Sequence, residues 1–173
     1  MTDSATLRAG VDVAAAEELF DALPPVAVAE ILGTWRGSEV PTGHPMDGLL
    51  DVSGWYGKRF DSADEVHPLL FGAPGSLYPV NPKLLPLGLL NRYGDRMPEY
   101  LPPGGRGAFR LLRTRKHRAR LREVSYRGSV SAAMVYDDLP IIDHFRLLRP
   151  DTLLGAMDTR NSPHPYFFLL ERA

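Results

Sequence analysis

The sequence predicts a mainly β protein: an antiparallel barrel of about eight to ten strands preceded by one or two helices. Three observations carry this. After Gly107 six strand-like segments follow one another with only short turn signals between them. Between Pro74 and Pro103 seven prolines exclude long helices and central strands. An amphipathic helical pattern runs from Val11 to Leu23, ahead of the strands.

In chain order, Val11 to Leu23 carries Val13, Ala16, Phe20 and Leu23 at helical spacing, with Glu17, Glu18 and Asp21 on the other side. Pro24-Pro25 breaks this helix, and Pro25 to Leu32 can form a second, short one ended by Gly33. Trp35 to Val40 and Trp55 to Phe60 suit strands, with a helical turn at Met46 to Val52 between them. The proline-rich segment 74–105 is too apolar for a linker, so it reads as a lid or plug, with one apolar turn at Leu84 to Leu90. The six later strands are expected at Ala108 to Arg115, Ala119 to Tyr126, Ser129 to Tyr136, Pro140 to Leu148, Thr152 to Asp158 and Tyr166 to Arg172. Connections this short join antiparallel neighbours, and closing the sheet with the two earlier strands hides its edges. The expected division is a helical segment 1–32 and one β domain 33–173, made of parts 33–72, 74–105 and 107–173.

With 173 residues, 44% hydrophobic and 24% charged, the chain has the make-up of one globular domain. No apolar run reaches the length of a membrane-spanning helix, Met1 to Gly10 does not read as a secretory signal, and there is no cysteine. A cytoplasmic setting is expected, without disulfides or thiolate metal sites. The net charge of -1 argues against a protein that works by neutralising phosphates. Nine basic residues do cluster between Arg106 and Arg127, but few aromatics interleave with them. A solvated outer face therefore explains them better than nucleic acid does.

Gly33-Thr34-Trp35-Arg36-Gly37 resembles the motif that names the GXWXG protein family. Tyr126-Arg127-Gly128, Met134-Val135-Tyr136-Asp137, Pro140 to Arg146, Gly155-Ala156-Met157-Asp158 and Phe167 to Arg172 are similar to the domain of unknown function that usually follows it. More distantly, the Gly-x-Trp resembles the start of lipocalins, fatty-acid-binding proteins and nitrobindins. That resemblance implies a calycin-like barrel in which Trp35 plugs one end and Arg172 stacks over it. The nitrobindin likeness brings haem as a candidate cofactor, with His144 on a strand or His164 in a loop as its ligand; otherwise no cofactor is expected.

Alternation puts Ile141, Asp143, Phe145 and Leu147 on one face of their strand, with His144 on the other. Asp143 is thus a candidate carboxylate inside an apolar barrel, either a structural acceptor or an acid-base group. Lys58 alternates with Tyr56 and Phe60, which makes it the natural counter-charge for Asp143 or Asp158 if that face is interior. Tyr136, in line with Met134, adds a phenol or simply packs. The candidate chemistry therefore rests on Asp143, Lys58, Tyr136, Asp158 and His144. The candidate lining is Trp35, Trp55, Tyr56, Phe60, Met134, Phe145 and Phe168. His44, His67, His117 and His164 show no metal-ligand spacing, so no metal is expected. No nucleotide-binding or serine-hydrolase motif occurs. Two functions fit: a barrel binding a hydrophobic small molecule, or a cofactor-free isomerase, cyclase or hydrolase acting on a hydrophobic substrate.

Overall fold

The computed structural model describes residues 3–85, 107, 109–160 and 162–173. Among these residues there are nine strands: β1 (Gly33–Glu39), β2 (Trp55–Phe60), β3 (Val66–Phe71), β4 (Tyr78–Pro79), β5 (Ala119–Tyr126), β6 (Ser129–Tyr136), β7 (Ile141–Arg149), β8 (Thr152–Thr159) and β9 (Tyr166–Arg172). All pair antiparallel in the order β2-β1-β9-β8-β7-β6-β5-β3-β4, and an additional β2–β3 pairing closes the sheet into a barrel-like ring. The seam between β3 and β5 is thin, with one paired position, Val66 opposite Ala119.

Alternation within the strands fills two cores. Residues such as Met134, Tyr136, Phe145, Leu153, Phe168 and Leu170 point into the ring. Leu154, Ala156, Phe167 and Leu169 point outward and are covered by Leu7 of helix α1 (Ser4–Ala9) and by Ala16 and Phe20 of α2 (Val13–Ala22). The Asp12 side chain caps α2 by accepting from the Ala14 amide at 2.9 Å. Helix α1 adds to the expected elements; it is too short to show a periodic pattern of its own. The segment expected to be a second helix forms a 3₁₀ turn, Val28–Ile31, and the turn after β1 is α3 (Leu49–Ser53).

The ring closes as the tryptophan motif implies. Trp35 is buried, its indole Nε1 donates to the Ile31 carbonyl at 2.7 Å, and the Arg172 guanidinium lies 4.3 Å from the centre of its ring. Arg172 also donates to the carbonyls of Leu32 and Glu30, tying the last strand to the turn before the first. The second glycine of the motif, Gly37, makes room: a Cβ there would fall on the Trp55 indole.

One expectation is corrected, and one falls largely on residues that are not described. The strand expected over Ala108 to Arg115 is, in its described part, a 3₁₀ turn at Phe109–Leu112, followed by an isolated bridge from Arg113 to Val80. Phe109 and Leu112 both pack on the interior core while Leu111 is exposed, a period of three rather than two. Strand β3, which contains Pro68, adds to the expected strands. The proline is accommodated where the pairing with β2 is irregular, between Gly57 opposite Leu70 and Arg59 opposite His67. The lid lies largely outside the described residues: of 74–105, only 74–85 are described, forming β4 and a 3₁₀ turn at Pro82–Leu84. Among the described residues no helix is long and apolar enough to cross a membrane.

Candidate functional site

Two oppositely charged groups meet inside the ring. Lys58 of β2 and Asp143 of β7 are 3% and 1% exposed, and Lys58 Nζ stands 2.8 Å from Asp143 Oδ2. Regular pairing on the β1 side sets the lysine inward, because Lys58 is directly opposite the buried Trp35. Asp143 is set inward by its place opposite Met134 and between Ile141 and Phe145. Three rings surround the ammonium, those of Phe168, Trp55 and Tyr136, at 5.1, 5.4 and 5.8 Å from their centres. The ammonium also donates to the Pro68 carbonyl at 3.2 Å, in the irregular stretch of β3.

The pair is not saturated. Asp143 Oδ1 is buried and has no hydrogen-bond partner among the described residues, and the same holds for the Trp55 indole Nε1. Burial raises the Asp143 carboxyl above its ordinary value, and the Lys58 charge only partly opposes this. Burial, with the neighbouring Asp143 charge, also pushes the Tyr136 phenol well up, so it stays protonated at neutral pH. The site thus offers an ammonium, a carboxylate poised to take a proton and a phenol, in apolar surroundings.

The other candidate residues divide. Phe60, Met134, Phe145 and Phe168 join the interior, where Phe145 packs on Phe60 and edge-on to Phe168. Trp35 is there as the end plug described above. Tyr56 and Trp55 are exchanged relative to simple alternation: Trp55 is in the interior core and Tyr56, only half-buried, is not. The cause is a bulge between Trp55 and Gly57, which places an extra residue on β2 and reverses the parity of Trp55. Asp158 is exposed and stands apart from Lys58, because it lies one residue out of step with the inward-facing Met157. His144 is buried on the outer face, stacked on Tyr126 with ring centres 3.8 Å apart. His164 is a surface residue beside Glu17. Neither histidine weighed as a haem ligand lines the interior, so these residues do not fit an interior haem.

A second polar pair lies outside the residues singled out from the sequence. The Tyr166 hydroxyl donates to Glu39 Oε1 at 2.6 Å, and Glu39 also accepts from the amides of Gly48 and Leu50. Burial outweighs these donors and raises the Glu39 carboxyl. Alternation from Trp35 through Gly37 marks Glu39 as inward, so a signal for it exists. On the outer face, part of the basic strip is paired: Arg118 with Asp138, Arg120 with Asp137 and Arg122 with Asp64.

Burial, helped by Arg146, pushes the His144 imidazole down to about 4. A histidine in the unfolded chain titrates near 6.5, so the unfolded state binds more protons between those values and stability falls as pH drops through them. His144→Phe keeps a ring on Tyr126 without a proton site. It is expected to remove about 2 kcal/mol of the acid destabilisation seen at about pH 5, read from urea unfolding of both proteins across that window. An unchanged pH slope would refute the assignment.

Comparison with known proteins places these features in a wider set. Residues 18–75 match the family described as GXWXG protein, and residues 117–172 match the Domain of unknown function (DUF4334). A crystal structure of a protein from Thermomonospora curvata is 39% identical, with a TM-score of 0.69 over 95% of this chain and 89% of that one. No protein of curated function matches.

Proposed function

Since the chain belongs to the GXWXG protein family, with that family's module followed by the DUF4334 domain, we propose that its ring holds a small, mainly apolar molecule whose polar group engages Lys58 and Asp143. The observation that carries this reading is the unsaturated ion pair within the aromatic box. A buried ion pair is often no more stabilising than apolar residues of the same volume, and an orphaned carboxylate oxygen costs further. Its presence among aromatic side chains fits selection for a ligand: apolar contact gives affinity, and a hydroxyl or carbonyl of the ligand completes the polar group.

A second reading is favoured by one specific feature, the raised carboxyl of Asp143 beside an ammonium and a phenol. In that reading the pair moves a proton on a bound hydrophobic substrate, as a cofactor-free isomerase, cyclase or hydrolase would require. Asp143 would take or give the proton, and Lys58 would stabilise the charge that develops.

Native mass spectrometry of protein purified from its source tests both. The first reading expects a copurifying small apolar molecule, absent from the Lys58→Met/Asp143→Leu double variant. The second expects Asp143→Asn to retain the molecule unconverted while the wild type releases an altered mass. If the double variant retains the same molecule as the wild type, the polar pair is not its anchor and both readings fail.

A further inference from the structure

A separate cluster sits on the outer face, where β2 turns into β3 and the chain enters β5. Asp61 follows the last residue of β2 and opens a turn held by the amides of Asp61 and Ser62 donating to the Glu65 carbonyl. His67 is the second residue of β3, directly opposite Arg59. His117 lies two residues before Ala119, which makes the single β3–β5 pairing with Val66. The β2–β3 turn and a segment distant from it in sequence thus bring two imidazoles and a carboxylate together, with one ligand atom from each within 4.8 Å of the others.

The histidine rings lie 4.3 Å apart, and His117 Nε2 is 3.3 Å from Asp61 Oδ2. His67 is 3% exposed, and its Nδ1 is buried without a hydrogen-bond partner among the described residues. An imidazole fixed by burial with a free ring nitrogen is a preorganised ligand. The other two side chains are partly exposed, at 32% for His117 and 38% for Asp61, and can adjust to it. Arg59 competes for the carboxylate: its Nε is 3.2 Å from both Asp61 oxygens. Its side chain is 39% exposed, so it can swing into solvent when a cation takes its place.

We propose that Asp61, His67 and His117 bind one divalent transition-metal ion, with Zn²⁺ the best match. Two imidazoles and one carboxylate are the donor set for borderline ions, whereas Ca²⁺ and Mg²⁺ need mostly oxygen. Ligand atoms on one tetrahedral zinc stand about 3.3 Å apart, so closing the cluster takes rotations of the two exposed side chains rather than movement of the backbone. Three protein ligands leave a fourth position for water. The ion would clip together the segments that meet at the thinnest seam of the ring, linking metal binding to closure of the sheet.

The test uses the full chain, stripped of metal with a chelator and titrated with Zn²⁺ by calorimetry and with Co²⁺ by visible absorption. One equivalent should bind, with the intense visible bands of low-coordinate Co²⁺, and Zn²⁺ should raise the melting temperature. His117→Gln and Asp61→Asn, both at partly exposed positions, should each weaken binding at least about tenfold. Their circular dichroism spectra should stay native. His67→Gln should abolish binding, but because His67 is buried and its loss can also disturb folding, the two partly exposed variants decide the outcome. The His44→Gln/His164→Gln double variant should bind as the wild type does. Absence of saturable one-to-one binding, unchanged affinity in His117→Gln and Asp61→Asn, or loss confined to the His44/His164 variant would each overturn the proposal.

Discussion

Lys58→Met is expected to lower the free energy of unfolding by about 3–5 kcal/mol at neutral pH, because it strands the Asp143 carboxylate in a nearly dry interior. Asp143 is 1% exposed, and its described partner for charge is the ammonium 2.8 Å away. Without Lys58 the folded protein must keep the acid protonated. For a carboxyl with an unfolded value near 3.9, that costs about 4 kcal/mol at pH 7. The sign follows from this. The variant's Asp143 has a folded value above the unfolded one, so the protonated acid is tolerated at low pH and the penalty grows as pH rises. Urea unfolding at about pH 5 and about pH 7 should show the gap to the wild type widening with pH. Acid effects common to both proteins, such as those of His144, cancel in the comparison. Adding Asp143→Leu to Lys58→Met should recover most of the loss, since no charge is then left buried. If single and double variants are equally unstable, the lysine matters for the packing of its stem and not for its charge. A double variant as stable as the wild type but without the bound molecule would assign the pair to recognition.

Much of this site is legible in the sequence because alternation is a local rule. In β7 the order Ile-Ile-Asp-His-Phe is enough to separate Asp143 from His144, and the structure keeps them on opposite faces. The parity of its own strand makes Lys58 a counter-charge for Asp143 or Asp158, and the structure chooses Asp143. The Trp55/Tyr56 exchange shows where the rule ends. A single extra residue reverses every face beyond it, and a bulge is set by pairing with a neighbouring strand rather than by the residues in the run. Phe109 and Leu112 illustrate a different limit. A four-residue segment with apolar residues at Phe109, Leu111 and Leu112 offers a period of two and a period of three alike, and in the structure Phe109 stacks on Phe71 while Leu111 is exposed. The Asp61, His67 and His117 cluster is beyond any spacing rule, because the residues are brought together by the β2–β3 turn and by the β3–β5 seam.

That bulge supplies the second large effect. Gly57→Ala is expected to destabilise the protein by about 3–5 kcal/mol, combining backbone strain with overpacking. Gly57 lies in β2 opposite Arg36 on one side and Leu70 on the other, with pairing irregular on both sides of it along β3. Its φ of +153° is open to glycine and strained for alanine, and a Cβ there would overlap the carbonyl oxygen of Trp35. That oxygen belongs to the strand carrying the end plug, so the clash cannot be relieved by turning a flexible side chain. Relief requires β1 and β2 to separate, which moves Trp35 from under Arg172 and Lys58 away from Asp143. Gly75→Ala is the control: Gly75 also has a positive φ, +85°, but nothing lies near its missing Cβ, so only the strain of about 1–2 kcal/mol applies. Urea midpoints of the two variants, compared with the wild type, separate the contributions. Should Gly57→Ala prove no less stable than Gly75→Ala, the close approach of β2 to Trp35 is dispensable. The inward placement of Trp55 would then need a cause other than the bulge.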